Sequence, residues 1–536
     1  MKLFHTWTSH RPPSDLSKRT IVASVLKFRL WVYMCMSMSW LIIPDHNPGN
    51  DVLRFELRLS DPIPCFCLPE HACSAWTSTE CPTSDFHASH YVPTSLWKFF
   101  LEPLTRWDAA RFLHLACRTA LRDPPIGCQR GELNSCDFSD SEQAHAFFPL
   151  FPSLLRMGAL SLLRLLPSSF LPPTFECLVV LTGILINLFC LVVGTMALYS
   201  LTMSILPASL ELERKQQLAT STCLVYGISN PATVFFATNY SESLFSTLTI
   251  SGHAMYAQDK ALLAIPLWML ASFARSNGSI HSLWLLVQSV GHMCHHIASR
   301  KPSKGKNQRQ SIFVKVLFLV SGSILVILPI RYHDWKGYTR HCQTDSPIKP
   351  SWCGESSQWF SLYGWTQRRH WNVGFFRYYE FKQLPNFLLA APILGLSTWG
   401  VISWIYYSML KYGKGKLPSA ASMVLLDWPL RALADSVENS SMKPSTGSTH
   451  YQYLIDNPKL LGHYLLLAGL TVVGLVVAHV QISTRMILSS SPAAIWLLTY
   501  CHLQEQSLLL RRFVTIYTML FIGLGILLHV NFLPWT

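Results

Sequence analysis

The chain has 536 residues, half of them apolar and only 13% charged, with a mean hydropathy of +0.26. Soluble domains carry about 25% charged residues, so a water-exposed globule, a disordered chain, a collagen-like repeat and a small disulfide scaffold are all excluded. The 43 Lys and Arg against 29 Asp and Glu leave a net charge of +14, which in a lipid-solvated chain serves topology and headgroups rather than nucleic acid.

A helix rising ~1.5 Å per residue needs about 20 apolar residues to cross ~30 Å of hydrocarbon. The first predicted span is Ile21–Ile43, a signal anchor behind a basic start with Lys18 and Arg19 and with no small-residue cleavage site after it. Lys27 and Arg29 lie near its basic end, within snorkelling reach of water. Residues 44–146 form a long polar first loop. It carries Cys65, Cys67, Cys73, Cys81, Cys117, Cys128 and Cys136 without a CxxC pair, which argues against zinc. Phe147–Phe170 is apolar but interrupted by Arg156 and Arg164, so an interfacial helix and a further span are both open there. Further spans are expected at Leu178–Leu206, Thr220–Ile250, Leu262–Ile297, Ile312–Ile330, Asn386–Leu410, Leu460–Val480, Ala493–Leu503 and Phe513–Phe532.

The result is an all-α polytopic membrane protein with about eight to ten transmembrane helices. Its parts are an N-terminus (1–20), a first span (21–43), a first loop (44–146), a bundle (147–330), a second loop (331–385) and a C-terminal bundle (386–536). The basic clusters Arg300–Arg309 and Lys411–Lys416, with the milder Glu211–Gln217, belong in the cytosol, and both large loops and the C-terminal tail then face the other compartment. If that compartment is oxidising, Cys342 and Cys353 pair across the second loop. Cys35, Cys177, Cys190, Cys223 and Cys294 read as small buried hydrophobes. The Asn-X-Ser triplets at Asn239, Asn277 and Asn439 fall in or beside spans or on the cytosolic side, and are not expected to be glycosylated.

No Walker A loop, Rossmann glycine fingerprint, HExxH or ordered Ser-His-Asp set occurs. Ionisable groups among apolar residues are costly and mark the candidate sites instead. Asp108, in RWDAARFLHLA, is either a general base for a hydroxyl or a helix-start carboxylate paired with Arg111. Glu142, before the QAHAFFPLFP run, is a second acid or a solvated loop residue. Glu242 and Arg275 sit in successive predicted spans, as structural glue or as a polar wall for a phosphate. The stretch from Arg368 to Asn386 mixes aromatic and cationic groups as a lipid–water interface does, whether as a belt or as a headgroup site. His479–Arg485 places a cation at the end of a span.

Taken in order, IIPDH (42–46), RWDAARFLHLA (106–116), EQAHAFFPLFP (142–152), SNPATVFFATNYSESLFSTLTISG (229–252), ARSNG (274–278), WNVGFFRYYEFKQLPNFLLAAP (371–392), HVQISTRMILSSSP (479–492) and HVNFLPWT (529–536) resemble the PIG-V family, GPI mannosyltransferase 2 of the endoplasmic reticulum. The resemblance implies a GT-C type glycosyltransferase with a large first lumenal loop, a multi-pass protein of the endoplasmic reticulum membrane. It implies dolichyl-phosphate mannose as donor and a GPI precursor glycolipid as acceptor, with the second mannose added in α1,6 linkage on the lumenal side. It also makes a small accessory membrane subunit a reasonable partner.

Asp108 matches the acidic residue that carries the chemistry in that class, and Glu142 stands as a second catalytic acid. Arg106, Trp107, Glu242, Arg275, Asn277, His370, Trp371, Asn372, Glu380, Lys382 and Arg485 are the candidates for substrate binding. Among them Arg275, His370, Lys382 and Arg485 are unranked candidates to stabilise a leaving phosphate. No cofactor is expected, and no ligand cluster asks for a metal. Asn50–Val92 resembles nothing in the family pattern, and Ala120–Ser141 is longer than the short connection expected there between RWDA and AFFP. Three alternatives stand beside this reading: the first GPI or another dolichyl-phosphate-mannose-dependent mannosyltransferase, a lipid or solute transporter using Glu242 and Arg275, and a non-catalytic scaffold.

Overall fold

The computed structural model describes residues 17–46, 94–117, 141–167, 172, 174–208, 210–298, 306–343, 351–353, 362–412, 460–503 and 508–533. Among these residues the protein is all helical. In chain order the helices are α1 (Lys18–Ile42), α2 (Thr94–Leu101), α3 (Asp108–Cys117), α4 (Leu150–Leu165), α5 (Phe175–Ile205) and α6 (Leu212–Gly227). They continue as α7 (Thr233–Ala237), α8 (Glu242–Ala257), α9 (Ala261–Ala274), α10 (Ile280–Ala298), α11 (Lys306–Cys342) and α12 (Leu362–Trp371). The last five are α13 (Leu384–Tyr412), α14 (Leu461–Val476), α15 (Ser483–Ser490), α16 (Pro492–Leu503) and α17 (Leu508–Val530). Asn50–Val92, residues 120–140, the lysine cluster at 413–416 and Asn439 lie outside the described residues.

Five helical stretches are long and apolar enough to cross a membrane: Lys18–Ile42, Phe175–Ile205, Phe313–Cys342, Phe381–Ile405 and Leu508–Val530. A sixth is reached if Val480–Ser490 and Pro492–Leu503, bent by 90° at their junction, count as one span. Exposed Leu30, Met34 and Leu41 on α1, and Phe313, Leu317 and Ile324 on α11, present the apolar exterior that lipid requires. Phe147–Phe170 resolves into α4, a helix of 16 residues that is too short to count among these spans.

α1 forms where the hydropathy places it, opened by Ser17, whose hydroxyl accepts the Thr20 N–H at 3.2 Å. The expectation that Arg29 snorkels is corrected. It is only 2% exposed, and its Nη1 donates to the Thr233 carbonyl at 2.9 Å. That carbonyl belongs to the first residue of the five-residue α7, so the cation is met by main chain instead of water.

Two predicted spans are broken. Thr220–Ile250 becomes α6, α7 and α8, and Pro231, which has no N–H to continue a helix, lies at the first of the two breaks. The neighbouring Asn230 side chain accepts the Ala232 N–H at 2.9 Å, and Asn187 of α5 donates to the Thr238 carbonyl at 2.7 Å. Backbone groups freed by the breaks are thus met by side chains, as an apolar environment demands. Leu262–Ile297 likewise divides into α9 and α10 at the turn Ser276–Ser279.

Helix α8 lies at the centre, packed against α5 and α9, while α5 also carries α4 and α6. Gly183 lets α5 approach the second break so closely that a Cβ there would lie 1.6 Å from Asn239 Oδ1. Along α5, Thr182, Thr195 and Thr202 each donate to the carbonyl four residues back, at 2.7, 2.6 and 2.8 Å, so their hydroxyls are satisfied within the helix. Cys342 and Cys353 are disulfide-bonded, as expected, tying the end of α11 to the turn Ser351–Cys353.

Gly278 rests on main chain, since a Cβ there would lie 2.5 Å from Ala271 C and Ser272 N. Gly278→Ala is therefore expected to destabilise by ~1–3 kcal/mol, read as less folded protein and a lower thermal midpoint in detergent. A variant equal to wild type in both would show that this turn moves freely.

Candidate active site

Trp107 adopts a left-handed backbone (φ 57°) and turns the chain from the 3-10 turn Glu102–Leu104 into α3. Asp108 thereby becomes the first residue of α3, where the helix dipole favours a carboxylate. One of its oxygens accepts Arg111 Nη1 at 2.9 Å, which is the local pairing that an ordinary helix start would make. The other accepts Arg485 Nη1 at 3.0 Å, from a residue 377 positions away on α15. Helix capping accounts for the first contact and has no use for the second. The Asp108 N–H donates to Tyr240 Oη at 3.1 Å, so the break before α8 also holds the start of α3.

Glu242 opens α8 and is completely buried. Its Oε1 takes Arg275 Nη1 at 2.5 Å and lies 3.6 Å from the same Arg485 Nη1 that binds Asp108. Arg275 also donates to Ser241 Oγ at 3.4 Å. The Arg485 guanidinium rests over the rings of Phe235 and Tyr240, at 5.2 and 5.5 Å. Three guanidiniums therefore surround two carboxylates, leaving the cluster one positive charge in excess. Burial opposes ionisation of Asp108, but Arg485 and then Arg111 outweigh it and hold the carboxyl below its ordinary value. Its side chain stays 21% exposed, so the carboxylate is not sealed inside the cluster.

The remaining candidates separate by distance from this cluster. Asn277 follows Arg275 in the turn and donates to Ser490 Oγ at 2.8 Å, joining that turn to α15. Trp371 ends α12 with its ring 5.8 Å from the Arg111 guanidinium, and Phe147 lies under the same cation at 5.4 Å. His370 is kept below its ordinary pKa mainly by burial, so near neutral pH it is no permanent cation. Glu142 lies in the turn Glu142–Ala146, where its Oε1 accepts Trp352 Nε1 at 2.7 Å. Next to it, His145 is pushed down to about 3 by burial, with His333 and His341 adding to the effect.

Asn372 has a left-handed backbone and donates to the Arg377 carbonyl at 3.2 Å, bracing a turn. Glu380 and Lys382 pair with each other on the exposed part of that turn, where Lys382 is 72% exposed. Two N–H groups of the turn, of Gly374 and Phe376, donate to the last carbonyls of α14, those of Val477 and Val476, at 3.0 and 2.8 Å. Arg106 is 4% exposed and faces Asp45, Glu102 and the end of α17.

Of the four cation candidates, the structure brings Arg275 and Arg485 to the carboxylates. Sequence reasoning missed Tyr240 as a contact of Asp108, and knew Arg111 only as a local partner. Among the described residues, no three His, Cys, Asp or Glu side chains converge as metal ligands do.

The model of the family described as Mannosyltransferase (PIG-V) matches residues 67–536. The chain is 27% identical to the mouse protein named GPI alpha-1,6-mannosyltransferase 2, over 97% of this chain and 99% of that protein. The human protein of that name is 25% identical over 98% of this chain and its full length. A GPI mannosyltransferase 2 of Aspergillus oryzae is 32% identical over 31% of this chain and 39% of its own. No solved structure matches the chain. With the family match running through the site and on to residue 536, the chain belongs to the PIG-V mannosyltransferases.

Proposed function

We propose that this protein is a GPI α-1,6-mannosyltransferase of the endoplasmic reticulum membrane, transferring the second mannose of the anchor precursor from dolichyl-phosphate mannose on the lumenal side. The scaffold is read as GT-C type with eight to ten crossings, the broken helices α6–α8, α9–α10 and α15–α16 supplying those beyond the uninterrupted spans. One observation carries the reading. Asp108, Glu242, Arg275 and Arg485 come from four separate parts of the chain and meet as one half-open ionic cluster.

The chemistry follows from that cluster. Asp108 takes the proton of the acceptor hydroxyl as its oxygen attacks the anomeric carbon of the donor mannose. The bond from that carbon to the phosphate oxygen breaks with inversion, so a β-linked donor gives the α product. Dolichyl phosphate leaves with the electron pair. Negative charge grows on the phosphate as the bond breaks, and fixed guanidiniums in a largely water-excluded site stabilise it without having to reorient. Arg485 and Arg275 fill this role.

Asp108→Asn, expressed in cells lacking the endogenous enzyme, should lower transfer by roughly 10²-fold or more. The one-mannose precursor should accumulate and GPI-anchored proteins should be lost from the surface. Normal surface display would exclude Asp108 as the base, and accumulation of a precursor without mannose would move the protein to the first transfer. Arg485→Gln should lower turnover by roughly 10²–10³-fold. With that cation gone, burial dominates and the Asp108 pKa rises, so the acid limb of the pH–rate profile should move to higher pH. An unmoved limb would show that Arg485 does not act on Asp108.

A further inference from the structure

The end of α17 lies against the turn that presents Asp108, and its geometry is not that of an ordinary helix end. The Leu533 N–H closes onto the Leu528 carbonyl at 2.9 Å, leaving Phe532 in the left-handed position (φ 56°) that glycine usually takes. A phenylalanine in that position is strained, and its ring is 1% exposed. The ring lies 4.6 Å from the Arg106 guanidinium and 5.7 Å from the Trp107 ring. Two main-chain carbonyls of the same helix end accept from these residues as well. Val530 O takes Arg106 Nε at 3.2 Å, and His529 O takes Trp107 Nε1 at 3.2 Å.

The same helix end is anchored independently of that turn. Asn531 donates to Ser39 Oγ of α1 at 2.9 Å, and its carbonyl accepts the His46 N–H at 2.9 Å. Asp45, beside His46, holds Arg106 Nη2 at 3.0 Å. The His529 ring packs 5.5 Å from Tyr240, whose hydroxyl accepts the Asp108 N–H. Two adjoining left-handed residues, Trp107 and Phe532, thus brace each other, and one of them is bonded directly to Asp108.

We propose that His529–Phe532 is a positioning strap, with Phe532 as its central residue, that locks the Arg106–Trp107 turn and so fixes where the Asp108 carboxylate points. The proposal rests on Asp108 being the base. Phe532 acts on Asp108 through Arg106 and Trp107, so its effect should be confined to turnover. A small misplacement of a catalytic group is costly in rate while leaving substrate affinity intact.

The test compares full-length wild type with Phe532→Leu, Phe532→Tyr, Trp107→Phe and Asp108→Asn in membranes, using the one-mannose precursor and dolichyl-phosphate mannose. Leucine keeps an apolar side chain in the pocket but loses the ring face. Phe532→Leu should lower kcat roughly tenfold with donor KM within about twofold and folded protein unchanged, while Phe532→Tyr should keep wild-type kcat. Wild-type turnover in Phe532→Leu overturns the strap. So does loss of activity in both ring variants in step with loss of folded protein. If Phe532→Leu fails to fold, Trp107→Phe decides, because it keeps an aromatic ring beside Phe532 and loses the indole N–H to the His529 carbonyl. A fall in its kcat alone supports the strap, and a wild-type kcat overturns it. An inactive Asp108→Asn beside a fully active Phe532→Leu sinks the strap only, whereas an active Asp108→Asn sinks the catalytic reading itself.

Discussion

A guanidinium shared by two carboxylates in a poorly hydrated site ties together parts of this chain that nothing local would bring near. Arg485 of α15 binds Asp108 at the start of α3 and approaches Glu242 at the start of α8, which in turn holds Arg275 at the end of α9. Removing either carboxylate would leave buried guanidiniums without compensation, at a cost of about 3–5 kcal/mol. The ends of four segments are fixed relative to one another by that penalty. Glu242 is wholly buried beside two guanidiniums, those of Arg275 and Arg485.

The helix breaks belong to the same account. An unbroken helix in lipid satisfies its own backbone but offers no donors or acceptors to a substrate, whereas a break frees them where they are covered by protein. Here the breaks deliver the site. Tyr240 and Ser241 precede α8, Arg275 through Asn277 lie between α9 and α10, and Arg485 sits in the short helix before the bend at Ser491. A side chain from a neighbouring helix repairs what one break exposes, as Asn187 does for the Thr238 carbonyl, and Asn277 ties the turn after α9 to the Ser490 hydroxyl of α15. Small residues permit the close approach: Gly183 meets Asn239 and Gly278 meets the backbone of α9.

Much of this was legible in the sequence, and the parts that were not share a cause. Hydropathy located α1, α5 and α17 to within about one helical turn at either end because a long uniform apolar run carries that information. The same averaging hid the breaks, since a window that sums apolarity treats Asn230-Pro231 or Arg275-Ser-Asn-Gly as minor dips although both interrupt backbone hydrogen bonding. Asp108 stood out as a charge in an unusual string, and the pairing of Glu242 with Arg275 followed from the cost of isolated charges. Arg485 stood out as a cation at the end of a span but could not be set beside Asp108, because nothing periodic connects positions 377 residues apart. Tyr240 and Phe532 were invisible for another reason: an aromatic in an apolar run looks like core until its hydroxyl or its backbone angle is seen.

The excess of one positive charge bears on how such a site can rest without substrate. With Asp108 bound to Arg111 and Arg485, its basicity is suppressed, and a carboxylate so held is a poor acceptor for a proton from water. The phosphodiester donor of the proposed reaction carries one negative charge, which would match the excess and compete with Asp108 for Arg485. In the proposed reaction, occupation of that guanidinium by phosphate weakens the restraint on Asp108, so burial raises its pKa when a donor is present to be attacked. As the phosphate departs it gains a second negative charge, and Arg275 and Arg485 then bind it more strongly than the intact donor. Interaction that grows along the reaction path in this way lowers the barrier instead of merely holding the substrate. The ion pairs of the resting site would then be the same groups that act in transfer, held together until the donor phosphate redistributes them.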